Sequence, residues 1–138
     1  MKDYELIDHT ADVGVKAFGT DLSEAFAHAA KAMFDIITDS SNIESKGEYQ
    51  IELSAEDLEQ LLVDFLDELL FLQGAKNLVF GEFDVIVNEK ECSLRAMVSG
   101  EEFDTSKHKV GVEIKAVTYH MLEVSLDDPC FVKVLFDI

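Results

Sequence analysis

A histidine, a hydroxyl and a carboxylate fall within four residues near the N-terminus, in His9-Thr10-Ala11-Asp12, with Asp8 before them and Val13-Gly14 after. An imidazole between two acids is an arrangement a general base uses, one carboxylate orienting the ring. The plainer reading of His9 is a turn histidine bonded to neighbouring backbone, since no nucleophile or pocket accompanies it in the sequence. The second cluster is the last two residues, Asp137-Ile138, where a side-chain carboxylate adjoins the α-carboxylate. Two anions at the end of an apolar strand repel each other. A hard cation resolves that repulsion, because magnesium and calcium take oxygen ligands. Asp12 supplies a third carboxylate if the strand it leads lies beside the last one. The alternatives are that Asp12 makes an Asx-turn to its own backbone and that the C-terminus frays in water. Lys115 and His120 flank Thr118-Tyr119 in an otherwise apolar stretch. They are either contacts for a partner or ordinary strand-face residues, and spacing does not decide between these.

Other site signatures are missing. The sequence has no Gly-rich phosphate loop, no GxSxG, no HExxH, no zinc spacing and no EF-hand run. Cys92 and Cys130 lie far apart in apolar runs and match no CxxC pattern. They are expected to be buried, reduced thiols.

The elements that must position these groups are legible by periodicity. Tyr4 to Asp8 suggests a short first strand. Val13, Val15 and Ala17 alternate with Gly14, Lys16 and Phe18 in a second. His9 to Asp12 is then the connection between them. Leu22, Ala25, Phe26, Ala29, Ala30, Met33, Phe34 and Ile37 recur at helical spacing, opened by Asp21 and Glu24 as a capping box. His28 falls off that stripe and is expected to face solvent. Tyr49, Ile51 and Leu53 alternate as a strand. Ser54 and Asp57 open a second helix with the stripe Leu58, Leu61, Leu62, Phe65, Leu66 and Leu69, stopped by Gly74. Its opposite face is acidic. Strands follow around Leu78 to Phe80, with Gly81 as a bulge, and through Val87; a turn at Asn88 returns the chain along Cys92 to Val98. Residues 99–109 read as a mobile polar loop, and residues 110–119 fit either a strand or a helical turn. After Asp127-Asp128-Pro129, the run Phe131, Val132, Val134, Leu135, Phe136 has the character of a buried central strand. The class is α+β: two amphipathic helices packed on a mostly antiparallel sheet, in a single two-layer domain over residues 1–138.

Composition narrows the partners. A chain of 138 residues, 48% hydrophobic, can bury a real core. Its 29 acidic and 11 basic residues leave a net charge of −18, which argues against a direct grip on nucleic acid, where Lys and Arg neutralise phosphates. Divalent cations and basic protein surfaces suit such a body, though acidity alone also serves solubility. No apolar run approaches the roughly 18 residues that span a bilayer, and the first residues lack a signal-peptide pattern. No membrane association and a cytoplasmic location are expected.

Two segments together resemble a known family. His9-Thr10-Ala11-Asp12-Val13-Gly14, continuing to Ala17 and Gly19, resembles the N-terminal signature of archease. Glu113-Ile114-Lys115-Ala116-Val117-Thr118-Tyr119-His120, with the terminal Leu135-Phe136-Asp137-Ile138, resembles its C-terminal signature. The likeness covers essentially the whole chain, while roughly residues 40 to 110 carry no distinctive family residues. It implies a protein that is not itself an enzyme. Archeases act on the RtcB-type RNA ligase that joins tRNA exon halves; they promote guanylylation of its active-site histidine, allow many turnovers and broaden its nucleotide use. The resemblance also implies a divalent cation, calcium before magnesium or manganese, held by Asp12, Asp137 and the terminal carboxylate of Ile138. His9, Lys115 and His120 are then candidate partner contacts. Three protein ligands leave open some of the roughly six to eight positions calcium prefers. Two other classes remain beside this one: a metal-dependent hydrolase built on His9, Asp12 and Asp137, and a metal-free, chaperone-like acidic binding module.

Overall fold

The Asp21 carboxylate accepts the Glu24 N–H at 2.9 Å, and the Glu24 carboxylate accepts the Thr20 N–H at 3.0 Å. This reciprocal cap starts α1 (Leu22–Ile37). All eight residues of its expected stripe are buried, Ala32 with them. The second helix, α2 (Leu58–Lys76), starts at Asp57, whose carboxylate accepts the Gln60 N–H. Ser54 instead ends the preceding strand. Gly74 lies inside the last turn, and Asn77 ends the helix in left-handed backbone at φ 57. The helix runs past its glycine because an asparagine that tolerates this conformation stands three residues later. The leucine stripe is core, with Leu61, Leu62, Leu66, Leu69 and Leu72 buried.

The computed structural model describes residues 2–9 and 12–138, residues 8 and 9 by their backbone alone. Among the described residues seven strands appear: β1 (Tyr4–His9), β2 (Asp12–Gly19), β3 (Gly47–Ser54), β4 (Leu78–Asn88), β5 (Ser93–Glu102), β6 (Ala116–Ser125) and β7 (Cys130–Asp137). With two helices this is the expected α+β class, and every described strand pair is antiparallel. The strands divide into two sheets, ordered β1-β2-β7-β6 and β3-β5-β4. Both helices touch both sheets, α1 chiefly through β2 and β4 and α2 chiefly through β6. A single hydrophobic cluster runs through all of them. Phe34 anchors it, edge-on to Phe80 at 5.6 Å and stacked on Phe83 at 5.9 Å, while Phe26 meets Phe65 across the helix pair. Each such buried ring contributes roughly 1.5–3 kcal/mol.

β7 is the central strand that its apolar run predicts, lying between β2 and β6. Val132, Val134 and Phe136 face the core; Leu135 is equally buried but on the other face. Gly81 is a bulge, where the β4–β5 register shifts between Phe80 and Glu82. Two expectations are corrected. His28 is half-buried, its Nδ1 2.6 Å from the Phe18 carbonyl, rather than solvent-facing. Residues 99–102 belong to β5, and residues 103–115 form an irregular strap fixed at several points rather than a free loop. The ambiguous stretch up to residue 119 divides at Ala116, where β6 begins. Both thiols are free, Cys130 buried in β7 and Cys92 partly buried in the β4–β5 turn.

Candidate functional site

Strand register brings the two ends of the chain together. β2 begins at Asp12 and β7 ends at Asp137, and in their antiparallel ladder these residues stand directly opposite. On one side His9 pairs with Asp12; on the other, Ala116 pairs with Asp137. His9, Asp12, Asp137 and Ala116 thus form one rung across the four-stranded sheet. The Lys115 N–H donates to the Asp137 carbonyl at 2.7 Å and closes that end of the ladder. Asp12 is half-buried and Asp137 exposed. Ile138 packs its side chain against the core cluster, which anchors the main chain beyond Asp137.

The next rung on the same face explains the glycine of the N-terminal motif. Gly14 pairs with Ile7 and Leu135. A Cβ there would stand 2.7 Å from a Leu135 methyl and 2.9 Å from the Ile7 Cβ. Only a bare residue lets these side chains close over the strand. Thr118 donates its hydroxyl to the Leu135 carbonyl at 3.0 Å. The carboxylate rung therefore borders an apolar, water-poor strip, in which charge interactions are stronger than in bulk water. One rung further, Lys16 lies over the Phe131 ring at 4.3 Å and Lys133 pairs with Glu123 at 3.4 Å.

The donor chemistry fits a hard cation. Carboxylates facing each other across an antiparallel pair have Cβ atoms roughly 4.5–5.5 Å apart, close enough for one ion to bridge, and an oxygen-only set favours calcium, magnesium or manganese over softer metals. Among the described residues no three His, Cys, Asp or Glu side chains converge as a metal set. The rung unites Asp12, Asp137 and Lys115 with the backbone of His9. Thr10, Ala11 and the His9 side chain lie outside the described residues. His120 lies further along β6, exposed, in a stretch that leaves the ladder.

A second polar cluster escaped the sequence reading. Glu101 and His108 are 7% and 2% exposed. The Glu101 carboxylate accepts the Glu44 N–H at 2.8 Å and meets Lys107 at 2.7 Å, His108 Nε2 at 2.9 Å and Lys46 at 3.5 Å. The Glu44 N–H foremost, then Lys107 and His108, hold its carboxyl well below the ordinary glutamate range. His108 Nδ1 accepts the Asp104 N–H at 2.9 Å, which places the ring proton on Nε2, toward Glu101. Phe103 stacks on the imidazole at 5.6 Å. An open groove of about 910 Å³ adjoins the cluster and shares no residue with the carboxylate rung. Every charged group is satisfied from within, so the cluster reads as a pin for the strap. From it the strap runs over α1, where Thr38 donates to the Lys109 carbonyl and Gly111 and Val112 donate to the Ile37 and Ile36 carbonyls, and it delivers Lys115 to the rung. The only sequence signal was a histidine among mixed charges, which ordinarily marks a solvated loop.

The sequence matches the Archease protein family over residues 4–138. It is 44% identical over 126 residues to the protein archease of Pyrococcus furiosus, covering 90% of this chain and 89% of that one. With the archease of Methanothermobacter thermautotrophicus it shares 42% over 135 residues, covering 96% and 95%. The solution structure of Methanobacterium thermoautotrophicum protein 1598 superposes with a TM-score of 0.87 at 40% identity over the full length of both chains.

Proposed function

This chain belongs to the archease family, and from that premise we propose that it is a non-enzymatic activator of an RtcB-type tRNA-splicing RNA ligase, working through a divalent-cation site at the Asp12–Asp137 rung. The observation that carries the reading is the register: two carboxylates from opposite ends of the chain stand directly opposite on adjacent strands. Like charges so placed oppose folding, and a cation between them turns that opposition into coordination.

Asp12 and Asp137 would hold the ion, calcium first, with the terminal carboxylate of Ile138 as a third ligand. A cation held by so few protein oxygens offers its remaining positions to carboxylate or phosphate oxygens of a partner. The rest of the work belongs to the chain. β2 and β7 set the spacing of the carboxylates. Gly14, Leu135 and Ile7 keep water from one side of the rung. The backbone of Lys115 fixes the end of β7 while its exposed ammonium is available to the partner's anions. The acidic body steers the protein onto a basic ligase surface, in keeping with an activator that contacts protein rather than RNA.

The test is pre-steady-state guanylylation of the ligase in the presence of wild type, Asp12→Ala or Asp137→Ala. The reading expects fast guanylylation with wild type and the ligase's unassisted rate with either variant. Unchanged rates in both variants would sink it.

A further inference from the structure

β6 leaves its ladder just past the carboxylate rung. Ala116, Val117 and Thr118 pair with Asp137, Phe136 and Leu135, and pairing resumes at Glu123 opposite Lys133. The four residues Tyr119–Leu122 thus stand opposite Val134 alone. Met121 adopts φ 57, a left-handed conformation that a residue with a side chain takes only at steric cost. Such conformations cluster at active sites, ligand clamps and switch regions. The bulge shows Tyr119 at 61% and Met121 at 44% exposure, with His120 exposed between them.

β6 is an edge strand, and a bulge alone suffices to turn such an edge away from stray pairing. This one carries an aromatic and a thioether, the residue types enriched where proteins meet. It is also held in place. Gln60 of α2 donates one hydrogen bond to the Tyr119 hydroxyl at 3.1 Å and another to Asp64 at 2.8 Å. Asp67 lies one helical turn beyond Asp64 and is exposed; partial desolvation and the neighbouring Asp64 push its carboxyl upward. Through Gln60, the apolar display is tied to Asp64 and so to an acidic turn of α2 that continues to Asp67.

We propose that the Tyr119–Leu122 bulge and the Asp64–Asp67 turn of α2 form one docking surface for a basic protein partner. Lysine or arginine side chains of the partner relieve the repulsion between the aspartates, and its apolar side chains pack on Tyr119 and Met121. The sign of the charge selects a cationic occupant, and the Tyr–Met display selects a protein over a simple cation. β6 also carries Ala116 on the rung, so the bulge and the carboxylate pair share one sheet. The inference deepens the activator reading and rests on it.

The test measures binding of the complete chain to a purified RtcB-type ligase at low and high salt. It compares wild type, Met121→Gly and the double variant Asp64→Asn/Asp67→Asn, with calcium binding followed in parallel. Glycine suits the left-handed conformation and keeps the fold. Met121→Gly is expected to bind about tenfold more weakly or worse. The double variant is expected to weaken at low salt and lose much of its salt dependence. Both keep calcium binding. Wild-type affinity in both variants overturns the docking surface and leaves the activator reading standing. Loss in only one variant overturns the joint surface. Loss of calcium binding together with ligase binding also overturns it, because the substitutions then act through the rung. No binding by wild type overturns both readings.

Discussion

Asp12 and Asp137 set like charges on directly opposed residues, an arrangement that costs on the order of 0.2–1 kcal/mol in an antiparallel pair. Two opposite consequences follow from one pair. In chelator, Asp137→Asn is expected to unfold at a urea midpoint equal to or above that of wild type. In calcium the order reverses, since ligand binding stabilises only the protein that can hold the ion. Urea denaturation with and without calcium reads both, and a variant that ranks below wild type in both conditions contradicts a carboxylate pair poised for a cation. Gly14 makes a second prediction at this scale. A side chain there collides with Leu135 and Ile7, so Gly14→Val is expected to lose about 1–3 kcal/mol of stability, measured by the same denaturation. A smaller loss means that the two strands can part without consequence.

The strap between β5 and β6 is the element whose integrity sets the approach of Lys115 to the rung. Its pin, Glu101, has a carboxyl held well below the ordinary glutamate range by the Glu44 N–H, Lys107 and His108. A depressed folded-state value means that the native state favours the ionised form. The contribution is therefore present above the unfolded value of about 4.3 and is lost as pH falls beneath it. Acid titration followed by circular dichroism is expected to show a steeper loss of stability below about pH 4.3 in wild type than in Glu101→Gln; parallel curves contradict the pin. The sequence reveals elements of this kind unevenly. Alternation locates β2 and its core-facing residues, a near-continuous apolar run locates β7, and the Asp21–Glu24 box locates the start of α1, because these signals are local. The register that opposes Asp12 to Asp137 comes from packing between segments far apart in the chain, so the sequence alone poses it only as a condition. The partition into two sheets depends on the same long-range contacts. Glu101 and His108 are illegible in the sequence because charged residues in a polar stretch ordinarily face water; the Glu44 N–H, Lys46, Lys107, the Asp104 N–H and their mutual contact make their burial tolerable. The exposed bulge at Tyr119–Leu122 was hidden too, since a strand-like sequence gives no sign that its partner strand is short of residues.

The whole molecule carries a net charge of −18, and among its described residues no helix is long and apolar enough to cross a membrane. Such a field acts on encounter more than on fold. The rate of association with the ligase is expected to fall roughly tenfold or more from low to high ionic strength, with a smaller change in dissociation, as stopped-flow mixing would show; a salt-independent rate removes the steering role. In the proposed function the carboxylate pair, not the acidity at large, carries the activation. The most direct measurement counts ligation turnovers per ligase, with calcium present, in the company of wild type or Asp137→Asn. The account predicts many turnovers with wild type and about as few with the variant as with ligase alone. Equal turnover with both proteins would contradict it.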